Sequence, residues 1–330
     1  MSAVKPFLFI CHTQYQVMVS VVKLLCEGCS ADFWLSSAVP GREALAVRLR
    51  GLPFVRRVFC PQDTTAFYPS LPPKGRFQRR VKALRLAVRC RFPLLLGRYT
   101  ELCLYNDWNV AGCYLQDRGA PYVLGEDTYN HLTGPNHWID EQAAQPGFSQ
   151  RRQRGEGYSF WGAYRGVTAV EVAKVSESAY YHEKLRGFDP FEKLAAFGPP
   201  ERAVLRQVFI QQELPAINGK TCLFLPRSYY VDRDVFTQEA QDRLCKDIVA
   251  RYANGYQLFI KTHPRDTTDY HTLFPGAVVL DRFMPVELLD YCFDVKFSRA
   301  VGFHTNAIRN IRCAQEIIEV TDLSLDDYRT

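Results

Sequence analysis

The sequence predicts an α/β protein of two Rossmann-like domains, residues 1–195 and 196–330, that face each other across a cleft. Three observations predict it. Short apolar runs rich in aromatic and β-branched residues alternate with segments of helical periodicity in both halves, which is the pattern of parallel strands joined by crossover helices. A length of 330 residues exceeds what one hydrophobic core usually holds. A stretch at 190–212 that mixes Pro-Pro with helical pattern offers a link between two similar series.

In the first half, residues 6–11 (PFLFIC) read as a strand, 14–25 as a helix, and 31–35 and 55–60 as further strands. A basic helix within 74–91 comes next, then a strand at 101–105, a helix near 110–117, a strand at 122–124 and an extended segment at 167–175. Residues 145–158, polar with Gly and Arg, read as a loop or lid. In the second half, strands are expected at 221–225, 257–260, 277–280, 294–298 and 316–320. Helices are expected at 238–252, 285–291 and 304–312.

Composition narrows the function. With 47% hydrophobic and 23% charged residues, the chain supports sizeable cores and is not disordered. No run approaches the ~20 apolar residues of a membrane helix, and the apolar start is too short for a secretion signal, so a cytoplasmic protein is expected. The eleven cysteines are scattered, several inside apolar segments, and read as reduced core thiols. Cys26 and Cys29 form one CxxC with no second pair to complete a zinc site. Net charge is +6, and residues 74–91 hold eight Lys or Arg and no acid. Phe77, Val81, Leu84 and Val88 recur there at helical spacing. A basic amphipathic helix from Lys74 to Arg91 fits the anionic surface of the inner membrane or a negatively charged acceptor, or is the solvated face of a packed helix. No nucleic-acid recognition motif accompanies the charge, so nucleic acid is not an expected partner.

Chemistry is expected at strand ends and helix starts. The strand at 257–260 runs into Lys261-Thr262-His263-Pro264-Arg265. The carboxyl end of a parallel strand is where open α/β sheets bind ligands, and two cations beside an imidazole suit a phosphate leaving group. After the first strand come His12, Thr13 and Gln14; Thr13 can cap the next helix, and this start with Gln14 can accept an anion or hydroxyls. Glu126 and Asp127 leave the strand at 122–124; paired carboxylates raise one another's pKa and can prepare a general base. Asp232 and Asp234 follow the strand at 221–225 and are either caps or bases. His304, Thr305 and Asn306 lie between a strand and a helix and form a cradle for phosphate or carboxylate. No GxGxxG, Walker loop or DxD metal motif occurs, which argues against dinucleotide enzymes, ATPases and metal-dependent sugar transferases.

Together these segments resemble the bacterial sialyltransferases of glycosyltransferase family 52, over most of the chain and in order. FLFICHTQYQVMVSV is similar to that family's first strand and helix. LGEDTYNHL is similar to its acidic segment, with Thr128 where glycine is usual. IKTHPRD is similar to its Lys-Pro-His-Pro-Arg, with Thr262 in place of the first proline. VVLDRFMPVELL is similar to its Pro-x-Glu-Leu helix, placing Glu287 in that motif, and GFHTNA stands where a Ser-Ser pair is common.

The resemblance implies a GT-B fold, with the first domain on the acceptor side and the second binding CMP. It implies a CMP-sugar donor carrying an acidic sugar, inversion at the anomeric carbon, and no metal or separate cofactor. The acceptor would be a surface glycan or glycolipid such as lipooligosaccharide or capsule. His263 is then the general acid or phosphate partner. Asp232 or Asp234 is the base, with Glu126 and Asp127 competing for that role. Lys261, Pro264, Arg265, Glu287, His304, Thr305, Asn306, Thr13 and Gln14 are expected donor contacts. CMP-Kdo or CDP-glycerol in place of a CMP-nonulosonate, or a glycan-assembly protein without turnover, are the alternatives.

Overall fold

The computed structural model describes residues 5–61, 76–132, 134–154, 157–217 and 219–329. The chain divides into two compact units, Met1–Glu201 and Arg202–Thr330. In the first, strands β1 (Phe7–Cys11), β2 (Ala31–Leu35), β3 (Val55–Phe59), β4 (Glu101–Leu104), β5 (Tyr122–Gly125), β6 (Val167–Val172) and β7 (Leu185–Gly187) form one sheet in the order β3-β2-β1-β4-β5-β6-β7. All neighbours are parallel. Between them run α1 (Gln14–Glu27), α2 (Arg42–Arg50), α3 (Arg76–Arg89), α4 (Val110–Asp117), α5 (His137–Ala144) and α6 (Phe148–Arg154), followed by α7 (Pro190–Ala196). Helix α8 (Pro199–Phe209) crosses into the second unit.

The second unit repeats the plan with five strands, β8 (Thr221–Leu225), β9 (Gln257–Lys261), β10 (Val278–Leu280), β11 (Phe297–Gly302) and β12 (Ala314–Glu319), in the order β10-β9-β8-β11-β12. Every pairing is again parallel. Its helices are α9 (Gln238–Tyr252), α10 (Tyr270–Leu273), α11 (Leu288–Cys292) and α12 (Ala307–Asn310).

Burial explains why these segments are strands. β1 (FLFIC), β2 (ADFWL) and β8 (TCLFL) are buried almost throughout, as expected of parallel strands covered on both faces. Helix α1 starts where Thr13 accepts a hydrogen bond from the Gln16 amide and stops at Gly28 in the left-handed region, the residue that tolerates that conformation without penalty. On one side of the first sheet, Trp34 stacks on Phe92 and Phe92 on Tyr114, each pair with ring centres 4.5 Å apart. On the other side lies a charged quartet, buried at Lys23 and Glu171 and open at Arg186: Lys23 bridges Glu101 and, at 2.8 Å, Glu171, while exposed Arg186 reaches the same two carboxylates at 2.9 and 2.7 Å. Because every charge there is paired, the quartet ties α1 to β4, β6 and β7 at a desolvation cost that is largely offset.

Each sheet winds both ways from its middle. In the first unit the chain steps from β1 outward to β3, then returns to β4 and proceeds to the opposite edge. The reversal lies between β1 and β4, and in the second unit between β8 and β11. Ligands of open α/β sheets bind at the carboxyl ends of strands beside such a reversal.

Several expectations are corrected. Residues 148–154 of the expected loop form α6, and α2 was not expected at all. β11 spans Phe297–Gly302, not 294–298: it is set by pairing Arg299 with Cys222 and Gly302 with Leu225 on β8, although Ser298 and Arg299 break the apolar run. The helix expected at 304–312 is the single turn α12. Lys74 and residue 75 of the expected basic helix lie outside the described residues. Most of the expected apolar stripe does not face the core: Ala83, Ala87 and Cys90 are buried, whereas Phe77, Leu84 and Val88 are 78%, 52% and 73% exposed and Val81 is half-buried.

Candidate functional site

In the second unit, β9 delivers Lys261 to its last position and Thr262-His263-Pro264 to the turn beyond it. The backbone N–H of Arg265 donates to His263 Nδ1 at 3.3 Å, so the ring proton resides on Nε2. The Ser228 hydroxyl also lies 3.3 Å from Nδ1 and donates to Asp232 Oδ2 at 2.8 Å. Burial first, then the nearby Arg265 and Lys261 charges, push the His263 pKa down to about 4, with Asp232 acting the other way. At neutral pH the site therefore presents an uncharged imidazole with a donor at Nε2. An arriving anion would favour the charged ring, which Asp232 could stabilise through Ser228.

Asp232 is bracketed by Arg265 at 3.0 Å and Arg227 at 3.3 Å, and Arg227 also reaches Asp234 at 3.5 Å. Both carboxylates are held by cations, which suits an ion-paired clamp more than a free base. Asp234 Oδ2 is buried with no hydrogen-bond partner, its contact with Arg227 being ionic. Neither aspartate caps α9, whose N-cap is Thr237. Buried Lys261 donates to the carbonyls of Thr262 and Arg282 at 2.9 and 3.1 Å. Desolvation lowers its pKa to about 8, against the attraction of Asp281 and Glu287. Glu287, pushed upward by burial and held back by Lys261, thus belongs to the underside of the histidine turn. Pro264 separates His263 from exposed Arg265. Asp266 fixes the turn from below through Gln241 at 2.9 Å and the Tyr270 hydroxyl at 2.8 Å.

His304, Thr305 and Asn306 follow β11, on the far side of the sheet reversal. His304 and Asn306 are exposed and Thr305 partly so. A Cβ on Gly302 would stand 2.7 Å from Thr305 Cγ2, so the absence of a side chain lets this turn close over the end of β11.

The first unit builds a different site at its own reversal. Asp127, after β5, accepts a hydrogen bond from Gln16 Nε2 and another from Asn106. Both amides are aimed. Gln16 Oε1 accepts the His12 backbone N–H at 2.6 Å, which turns its NH2 toward Asp127. Asn106 Oδ1 accepts from Asn109 Nδ2 at 3.2 Å, and Asn109 Oδ1 caps α4 by accepting from the Ala111 and Gly112 amides. Asn109 Nδ2 also contacts His12 Nε2, which makes that nitrogen the acceptor and places the ring proton on Nδ1. Burial holds His12 neutral, pushing its pKa to about 3.

The result is a carboxyl surrounded by neutral donors. Desolvation outweighs the two amides and raises Asp127 to about 6, the range in which a general base works at neutral pH. His131 Nδ1 accepts the Asp127 backbone N–H at 3.3 Å. Its Nε2 is buried without a hydrogen-bond partner, and burial lowers its pKa to about 4.

Neighbouring Glu126 differs. One oxygen accepts the Leu132 amide at 3.1 Å and the other the Ala173 amide at 2.9 Å, so it fastens loops together. Asp107 is likewise raised to about 6 by burial, but it is occupied by the Trp161 and Gly162 amides and the Tyr122 hydroxyl. Thr13 spends its hydroxyl on the Gln16 amide, and Gln14 donates to the Pro40 carbonyl at 2.6 Å, with its Oε1 buried and unpartnered.

Sequence reasoning singled out His263, Asp127 and the acidic pairs as candidates but not Gln16, Asn106, Asn109 or His131, nor the contacts that Arg227 and Ser228 make. Asn109 was within reach: an asparagine directly before a helical pattern, just past a strand end, signals a cap. Gln16 carried no such signal, because its partner lies 111 residues away.

No family model matches the sequence. Among solved structures, the chain is similar to an α/β-galactoside α-2,3-sialyltransferase from Photobacterium phosphoreum, with a TM-score of 0.50 and 10% identity, covering 99% of this chain and 93% of that one. It is similar to the GT-B domain of a sialyltransferase from Photobacterium damselae, with a TM-score of 0.51 and 12% identity over 96% and 92% of the two chains. The glycosyltransferase of kitacinnamycin gives a TM-score of 0.50 at 10% identity, over 99% and 89%. With two all-parallel sheets, these likenesses identify the fold as GT-B. An uncharacterized protein of Haemophilus influenzae is 38% identical over 259 residues, spanning 74% of this chain and 78% of the relative. At that identity and coverage, the chain belongs to the same family as the Haemophilus influenzae protein.

Proposed function

We propose that the protein is an inverting, metal-independent glycosyltransferase. It moves a sialic acid or related nonulosonic acid from a CMP-sugar to a hydroxyl of a surface glycan such as lipooligosaccharide or capsule. The observation that carries this reading is His263: a neutral imidazole with its proton on Nε2, at the tip of a parallel strand beside the sheet reversal, set among Arg227, Lys261 and Arg265. That is a place for a phosphate ester that gains charge as it leaves.

In this reading the second unit binds the donor and the first supplies the base. Asp127 takes the proton of the acceptor hydroxyl as its oxygen bonds to the anomeric carbon. The bond from that carbon to the phosphate oxygen breaks, and CMP departs with its charge met by His263. Asp127 suits the base role better than its competitors because Glu126 is tied up by backbone amides and Asp232 by two arginines.

The test combines a donor screen with one substitution. CMP should raise the thermal midpoint more than CDP, UDP or GDP, and CMP-sialic acid should release CMP in the presence of acceptor. His263→Ala should lower turnover by roughly 10²–10⁴-fold while CMP binding survives. Unchanged turnover in that variant would remove the histidine from the reaction, and release of CDP from CDP-glycerol would move the donor.

A further inference from the structure

We propose that α3 is a membrane-docking helix that seats the protein on an anionic lipid bilayer. The helix has two apolar faces, and only one is used by the fold. Ala83, Ala87 and Cys90 are buried in the core of the first unit, where the Cys90 carbonyl accepts from Trp34 Nε1 at 2.9 Å. The larger side chains Phe77, Leu84 and Val88 point elsewhere and are 78%, 52% and 73% exposed.

At about 100° per residue, Phe77, Leu84 and Val88 fall within one narrow stripe, well separated from the buried alanines. Exposed Arg80 flanks this stripe on one side, and exposed Arg85 and Arg89 flank it on the other. In the chain beyond the helix, Arg91 is exposed, as are Leu94 and Leu95, at 45% and 71%. No Asp or Glu occurs between residues 64 and 100.

An aromatic and aliphatic ridge edged by arginines matches the boundary between acyl chains and anionic headgroups, where apolar groups insert and cations meet phosphate. The charge pattern selects this occupant over a second copy, which would press the same arginines against each other. A partner protein that used the ridge alone would have no use for cations on both sides of it. The inference is independent of the nucleotide donor, since it concerns a surface and not the reaction.

The test is co-sedimentation of the full chain with phosphatidylcholine vesicles, with and without phosphatidylglycerol. Binding is expected only to the anionic vesicles and should weaken as salt is raised. Arg80→Gln with Arg85→Gln should weaken it about thirtyfold, from roughly a fivefold contribution per charge. Phe77→Ser with Leu84→Ser should weaken it at least about tenfold with only a small change in thermal midpoint, because Phe77 is mostly and Leu84 half exposed. Val88→Trp gives a second readout: its emission should shift to the blue on adding anionic vesicles. Absence of binding to anionic vesicles, binding indifferent to the serine pair, or a dimer that the serine pair dissociates would each overturn the proposal.

Discussion

Asp127→Asn should abolish transfer and yet stabilise the protein at neutral pH. The reason lies in the setting of the carboxyl. Its pKa is raised from 3.8 to about 6, chiefly by desolvation, because the two groups that hold it are uncharged amides. A carboxyl raised on folding stays protonated in the native state while the unfolded chain has already released its proton. The native state therefore loses stability as pH climbs from about 4 to about 6, and the loss is complete above that range. The displacement corresponds to about 3 kcal/mol at pH 7.

Two effects reduce the gain. Water at the accessible edge of Asp127 screens part of the penalty, and an asparagine would set its NH2 against that of Asn106, forfeiting one hydrogen bond worth about 1 kcal/mol. A net gain of about 1–2 kcal/mol remains, or a few degrees in thermal midpoint. The assay is thermal unfolding of both proteins from about pH 4.5 to 8. The difference should be small at the acid end and full at neutrality. Asp107, also near 6, titrates equally in both and cancels. A difference that is flat with pH, or a variant less stable than the parent at neutral pH, would refute the reasoning.

Two further predictions follow from the same unit. Gln16→Met removes one donor from Asp127 and should move the acidic limb of the pH–rate profile upward by roughly one pH unit, so that activity falls about tenfold below the limb and recovers at alkaline pH; a uniform loss at all pH values would make Gln16 merely structural. Gly112→Ala should be severely destabilising, since the added Cβ would stand 1.9 Å from the Asp107 carbonyl oxygen; backbone on both sides must shift, and denaturant unfolding should show a loss of at least about 2–3 kcal/mol.

Much of the fold was legible because parallel strands buried on both faces are continuous apolar runs. β2, α4, β8 and α9 have the expected bounds. What failed had physical reasons. Periodicity reveals that α3 has an apolar stripe but cannot say which of two stripes meets the core, and small Ala83 and Ala87 let the helix pack closer than Phe77 and Leu84 would. β11 holds Ser298 and Arg299, yet partners on both sides keep it in the sheet. At the site, residue types at strand tips pointed to His263 and Asp127. Their partners were hidden because a hydrogen bond from Gln16 to Asp127, or from Ser228 to His263, is created by topology and leaves no local pattern.

The central position of β1 has a consequence for synthesis. Its five residues are made well before one of its two neighbours, β4, which begins only at Glu101. At about 5–20 residues per second, the roughly ninety residues between them take several seconds or more to emerge. Throughout that interval the apolar ribbon FLFIC has one flank unzipped, able to pair with any extended segment nearby. The nascent chain thus passes through a sticky adolescence that the finished molecule conceals, and shielding by a chaperone would matter most before the second flank closes.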